Sequence, residues 1–188
     1  MERKKTIAII SGSIRTGRVS HRVALFFQKF ITENNMADVA LLDLKALNFP
    51  LSEERLKYLP QPSNEILFFS SEIKRADAVI VVSPEYNSGY PASVKNAIDL
   101  LYDEWYRKPI GIVSVSDGNF GGMHALQMLQ TVFLKVKASL VPATFPVPLV
   151  HANYDENGNP TDKERTEKRA KLFLAEIMKS IQSNELLK

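Results

Sequence analysis

Ser13, Arg15, Thr16 and Ser20 all fall within one polar stretch, Ser-Gly-Ser-Ile-Arg-Thr-Gly-Arg-Val-Ser at 11–20, set between an apolar run and an amphipathic one. A strand-to-helix junction of this kind points free backbone N–H groups and the positive end of a helix dipole at one spot, which favours a phosphate. The hydroxyls of Ser13, Thr16 and Ser20 are additional donors, and Arg15 adds a planar charged fork suited to phosphate oxygens. The spacing excludes two commoner phosphate sites. No Gly-Lys-Ser/Thr closes the loop as in a P-loop, and position 14 is Ile where the dinucleotide fingerprint needs Gly. A plain phosphomonoester remains, with a merely polar turn and a surface arginine as the alternative.

A second stretch, Ser-Pro-Glu-Tyr-Asn-Ser-Gly-Tyr-Pro at 83–91, follows a β-branched run at 78–82 and precedes a helical pattern. Pro84 and Pro91 bracket the loop, and Pro91 suits a helix start because a first-turn proline forfeits no hydrogen bond. In an open α/β sheet ligands lie at the carboxyl ends of the strands, so this loop is the best active-site candidate. Tyr86 and Tyr90 are either site residues or half-buried loop aromatics. Asn96 and Asp99 either tie loops together or sit on a helix surface. A third loop, Ser-Asp-Gly-Asn-Phe-Gly-Gly at 116–122, ends in Gly121 and Gly122, which permit close backbone approach of a ligand or serve a strained helix start. His21, His124 and His151 lack metal-ligand spacing, which argues against a metal site or a nucleophile triad. Trp105 and Tyr106 read as packing or interface residues, and Met123 and Met128 as core or subunit surface.

The elements that must position these loops follow from the hydrophobic pattern. Continuous apolar runs at 6–10, 78–82 and 110–115 read as strands buried on both faces. Residues 39–44 form another strand, and 140–142, extended by 147–150, a fifth whose prolines imply an edge or a bulge. Helical periodicity covers 23–31, 64–75, 92–102, 123–137 and a final segment through Ile181, capped by Thr161 or Asp162. Between Pro50 and Pro62 the chain reads as a loop with one helical turn at most. Strand and helix alternate five times, which predicts an α/β flavodoxin-like, doubly wound five-stranded parallel sheet of order 2-1-3-4-5.

Composition sets the outer limits. The chain has 188 residues, 45% of them hydrophobic and 24% charged, without a linker-like segment, so a single domain over 1–188 is expected. The absence of cysteine excludes disulfides, thiolate metal sites and a Cys nucleophile, and fits a cytoplasmic protein. No apolar stretch near the amino terminus is long enough for a signal peptide or membrane span. A formal charge of +3 with scattered basic residues argues against nucleic-acid binding, and the mixed-sign run at 163–171 reads as a solvated helix face.

Gly12-Ser-Ile-Arg-Thr-Gly-Arg-Val-Ser20, Pro84-Glu-Tyr-Asn87 and Lys95-Asn-Ala-Ile-Asp99, in this order, resemble the NAD(P)H-dependent FMN reductase family of flavodoxin-like proteins over nearly the whole chain. The resemblance implies that FMN is the cofactor and NADPH or NADH the hydride donor. It implies that Ser13, Arg15 and Ser20 hold the FMN phosphate, that Pro84, Glu85, Tyr86 and Asn87 border the isoalloxazine ring, and that Ser116 and Gly118 touch the flavin from the other side. Two residues more than the tightest family spacing separate Arg15 from Ser20, which leaves the phosphate hydroxyl open between Thr16 and Ser20. Ser88-Gly-Tyr90 stands where many relatives carry a small apolar residue. The implied reaction is hydride transfer through flavin N5 to a quinone, free flavin, azo compound or metal oxyanion. It asks no acid or base of the protein, so no catalytic side chain and no metal ligand are assigned. Glu85 would repel a reduced flavin, so its side chain is expected to point away while the loop backbone makes the contact. The family also implies a homodimer or homotetramer joined through the helices after the 84–91 and 116–122 loops. A flavodoxin-like one-electron carrier is the alternative, disfavoured by Arg15 and by the positive charge. A flavin-free regulatory module is a second rival.

Overall fold

The computed structural model describes residues 3–186. Residues 1–2 and 187–188, the two ends of the expected single domain, lie outside the described residues. Five strands, β1 (Thr6–Ser11), β2 (Asp38–Asp43), β3 (Ala78–Pro84), β4 (Pro109–Val115) and β5 (Ser139–Val147), form one sheet in the order β2-β1-β3-β4-β5. Every neighbouring pair is parallel. Each residue of β1, β3 and β4 is buried, which is what their unbroken apolar runs require, since helices must cover both faces of a parallel sheet.

Successive side chains on a strand point to opposite faces, so the sheet carries two cores. Ile7 and Ile9 of β1, with Ile80 and Val82 of β3, meet α1 (Ser20–Glu33) and α7 (Lys163–Glu185) through Phe27, Phe30, Phe173 and Ile177. Ala8, Ile10, Val79 and Val81 meet α3 (Asn64–Arg75), α4 (Ala92–Leu100) and α5 (Met123–Lys135) through Phe69, Ile98, Leu129 and Phe133. Trp105 belongs to this second core. It is fully buried, edge-on to Phe133, and donates its indole N–H to the Ile98 carbonyl at 3.0 Å, whereas its neighbour Tyr106 is exposed.

Several boundaries differ from the sequence reading, among them the end of α5, at Lys135 instead of 137. β2 stops at Asp43, and Leu44 begins the one-turn helix α2 (Leu44–Leu47) because the Asp43 carboxylate accepts the Lys45 N–H and caps it. α4 ends at Leu100 instead of 102, before a 3-10 turn over Asp103–Trp105. β5 is one strand through both Pro142 and Pro146, and residue 150 starts the short helix α6 (Val150–Asn153). A proline costs an edge strand nothing where its missing N–H would face outward, and a register shift between Ile110 and Ile112 absorbs the irregularity. Of the two possible caps for the last helix it is Asp162 that accepts the Arg165 N–H, at 3.0 Å.

Candidate cofactor site

At the carboxyl ends of β1, β3 and β4 three loops come together, and a glycine fixes how closely. The Gly12 N–H donates to the Val82 carbonyl at 2.9 Å, and its carbonyl accepts from Ser93 Oγ at 2.6 Å. A Cβ at Gly12 would lie 2.5 Å from Val94 Cγ2 and 2.9 Å from the Val82 oxygen, so only glycine lets the first loop seat against β3 and α4. Beyond it Ser13 is fully buried, and its Oγ lies 2.6 Å from the Tyr86 hydroxyl. Arg15 extends from the same loop and lays its guanidinium over the Tyr86 ring, 3.5 Å from the centroid. The first and second loops are thereby joined through side chains seen as separate motifs in the sequence.

The start of α1 suits an anion. Val19 at the N-cap offers no side-chain hydrogen bond, and the first turn contains no acidic residue. Ser20, the first helical residue, is 4% exposed, and its Oγ has no hydrogen-bond partner among the described residues. A buried hydroxyl without a partner is costly, and a bound acceptor would relieve it. Thr16 is exposed at the tip of the loop. A phosphomonoester fits this donor set.

The second loop is a two-residue hairpin. Tyr86 and Gly89 exchange both backbone hydrogen bonds, at 2.7 and 3.0 Å, while Asn87 and Ser88 between them have φ of 49° and 62°. That is the pattern of a type I′ turn. It qualifies the expectation that the loop backbone offers donors to a ligand: the Glu85 N–H is spent on the Val115 carbonyl and the Tyr86 N–H on Gly89. Among the described residues the Asn87 and Ser88 N–H groups have no acceptor, so they are the donors of this loop that stay free, and Ser88 was not among the site residues expected from the sequence. An aspartate- or asparagine-led turn was the available signal, since asparagine tolerates positive φ.

Glu85 turns its carboxylate toward the amino terminus of α5. There it accepts the N–H groups of His124 and Ala125. In the third loop Ser116 donates its hydroxyl to the Gly118 carbonyl at 3.0 Å, and the Ser116 N–H bonds the Val147 carbonyl. Gly118 has open space on its Cβ side, so ligand approach there meets no wall. Gly121 and Gly122 have φ of 64° and 77°, and a Cβ on either would crowd the backbone of Val147 or Val115 at 3.1 Å. Close approach to the protein's own strands and the tight start of α5 account for both glycines.

One network escaped the sequence reading. Arg18 forks onto both carboxylate oxygens of Asp43 and also donates to the Ser13 carbonyl at 2.8 Å. Asp43 stands at the end of β2, in register with Ser11 of β1, so a carboxylate at a strand terminus beside an arginine-bearing loop was the usable signal. Burial works against ionisation of Asp43, but hydrogen bonds from Arg18 and the Lys45 N–H, with the charges of Arg18 and His21, outweigh it and hold its pKa below the usual carboxylate value. His21, whose Nδ1 lies 2.9 Å from Ser11 Oγ, has its pKa lowered by burial and by the Arg18 charge, with Asp43 opposing. Arg18 is therefore neutralised by a carboxylate. Arg15 is not: among the described residues no acidic group pairs with it.

Asn96 ties one loop to α4 instead of two loops together, accepting the Ser52 N–H at 2.9 Å and donating to the Pro50 carbonyl at 2.8 Å, whereas Asp99 pairs with Lys95 on the α4 surface. Among the described residues no three of His, Cys, Asp or Glu are grouped to hold a metal. A groove of about 830 Å³ between loop residues 51–55 and the flanks of α4 and α5 is lined by none of the site residues expected in the three loops.

A doubly wound parallel sheet with an anion-ready helix start and two further loops beside it at its carboxyl edge defines a flavodoxin-like cofactor-binding protein. Residues 6–152 match the profile of the NADPH-dependent FMN reductase family, and the chain belongs to that family. It is 30% identical to an NAD(P)H-dependent FMN reductase of Saccharomyces cerevisiae over 148 residues, covering 72% of this chain and 76% of the relative. It is 31% identical to a quinone reductase of Pseudomonas putida over 173 residues, covering 88% of this chain and 89% of the relative. Among solved structures, the flavoenzyme NAD(P)H:(acceptor) oxidoreductase FerB of Paracoccus denitrificans superposes with a TM-score of 0.78 at 25% identity, over 96% of this chain and 98% of its own.

Proposed function

We propose that the three loops hold FMN with its phosphate at the start of α1 and its ring against the 84–88 hairpin, in an NAD(P)H-dependent oxidoreductase that reduces small acceptors. The observation that carries this placement is the buried, unpartnered Ser20 hydroxyl at an uncapped helix start. Ser13, Arg15 and Ser20, with Thr16 at the rim, are the phosphate-side residues. Pro84 through Asn87 border the ring, with Asn87 and Ser88 presenting N–H groups to its polar edge, and Ser116 and Gly118 lie on the other side. When bound, FMN supplies two-electron chemistry by taking a hydride from NADPH or NADH. The protein binds and orients: Arg15 offsets phosphate charge, and the hairpin offers dipoles that cannot titrate.

The acceptor class proposed is a quinone, free flavin, azo compound or metal oxyanion. Relatives named quinone reductase and NADPH azoreductase support the quinone and azo members of that set. A cytoplasmic location is proposed from the lack of cysteine; no helix of the described residues is long and apolar enough to cross a membrane. A homodimer or homotetramer is proposed from the exposed apolar side chains of α5, namely Met123, Met128 and Leu134.

The test is direct. Protein loaded with FMN is mixed anaerobically with NADPH or NADH, and the flavin absorbance is followed before and after a quinone is added. Rapid bleaching by the nicotinamide and recovery by the quinone are expected. Failure of both nicotinamides to bleach the flavin would instead favour a one-electron carrier.

A further inference from the structure

The two arginines of the first loop are restrained in opposite ways. Arg18 is locked onto a carboxylate, which cancels its charge. Arg15 is held by the face of an aromatic ring, 3.5 Å from its centroid, which restrains a guanidinium without neutralising it. The ring is itself immobilised. Its backbone is pinned by the reciprocal pair with Gly89, and its hydroxyl lies 2.6 Å from the fully buried Ser13 Oγ. The same Ser13 Oγ accepts the Arg15 backbone N–H at 3.4 Å, so Tyr86, Ser13 and Arg15 close a small ring of contacts across two loops.

We propose that Tyr86 is a positioning residue that aims Arg15 at the cofactor phosphate, so that a side chain of the ring-side loop sets the preference for a phosphorylated flavin over an unphosphorylated one. This rests on the placement of the FMN phosphate proposed above. A long exposed arginine loses rotamer entropy on binding an anion, and a platform that restrains it beforehand removes part of that cost. A carboxylate platform would achieve the restraint at the expense of the charge, which is the fate of Arg18. The tyrosine face is the arrangement that keeps both.

The experiment titrates the full chain, stripped of flavin, with FMN and with riboflavin, for the wild type and for Arg15→Ala, Tyr86→Leu, Tyr86→Phe and the Arg15→Ala/Tyr86→Leu double variant. Thermal melts confirm that each is folded. Arg15→Ala is expected to weaken FMN about ten- to hundredfold and leave riboflavin unchanged. Tyr86→Leu is expected to lower the FMN-over-riboflavin preference about two- to thirtyfold. Tyr86→Phe keeps the ring face and retains the preference, and the double variant is no less selective than Arg15→Ala alone. Equal losses of both ligands in Tyr86→Leu, additive losses in the double variant, or a Tyr86→Phe as unselective as Tyr86→Leu would each overturn the proposal. An Arg15→Ala variant that keeps its FMN preference would overturn the phosphate placement itself, a separate and recognisable result. If Tyr86→Leu does not fold, Tyr86→Met takes its place with the same expected readings.

Discussion

The Glu85 carboxylate accepts hydrogen bonds from the backbone N–H groups of His124, at 2.9 Å, and Ala125, at 3.1 Å. A residue of the second loop thus caps the first turn of a different helix, so the second and third loops cannot separate without exposing two helix N–H donors. An ionised cap at that position also meets the positive end of the α5 dipole. Glycine at the N-cap of α5 has no side chain to do this, so the cap comes from elsewhere in the chain.

Glu85→Ala is expected to destabilise the protein by about 1–2 kcal/mol. For a chain of this size that lowers Tm by about 2–8 °C. Glu85→Gln should lose less, because its amide oxygen still accepts. Thermal denaturation of the two variants checks the order, and the same loss in both would place the effect in charge alone.

Stability should fall on the acid side in two steps. His21 has a folded pKa below its ordinary value near about 6.5, so the unfolded chain binds more protons between those two values. The His21 contribution is complete above about pH 6.5 and is lost as pH falls through the folded pKa. Asp43 also has a lowered pKa, and its contribution is complete above about pH 4 and lost as pH falls through its folded value. Denaturation across pH is expected to show both slopes in the wild type and only the lower one in His21→Asn.

Asp43→Asn leaves the Arg18 guanidinium beside Ser13 with a half-buried charge and no counterion. A loss of about 1–3 kcal/mol is expected at pH 7. As pH falls through the lowered folded pKa of Asp43 the variant and the wild type should converge, because the wild-type carboxylate is then itself being protonated. Urea titrations at pH 7 and at successively lower pH measure this.

Gly12→Ala places a methyl group against Val94 and the Val82 carbonyl, and the latter belongs to the central strand and cannot yield. A cost of about 1–3 kcal/mol is expected, only part of it recovered by adding Val94→Ala. Gly118→Ala, with nothing within 4 Å of the new methyl, should be tolerated. Chemical denaturation of the three variants gives the comparison.

Met128 is 47% exposed on α5 and lies close to Gly89 of the hairpin. If subunits join through this face, Met128→Glu buries a charge at the contact and shifts the mass toward the monomer. Light scattering at micromolar concentration reads the change. A wild type that is already monomeric would remove the oligomer from the reading.

The amino-acid sequence by itself determined the parallel sheet, because a strand covered on both faces has to be apolar throughout, and the runs at 6–10, 78–82 and 110–115 have no other economical reading. It also determined where chemistry could lie, since polar, glycine- and proline-punctuated loops follow those runs directly. Pairing across loops was decided only by the tertiary structure. Arg15 and Tyr86, Arg18 and Asp43, and Glu85 and His124 are distant in sequence, and each meets its partner only because the order β2-β1-β3-β4 sets adjacent strand ends side by side. The same applies to which backbone donors are left for a ligand: hydrogen-bond pairing within the hairpin spends those of Glu85 and Tyr86 and leaves those of Asn87 and Ser88. Local pattern carries secondary structure, but a side chain's partner is a property of the packed sheet edge, where contacts are made through space and not along the chain.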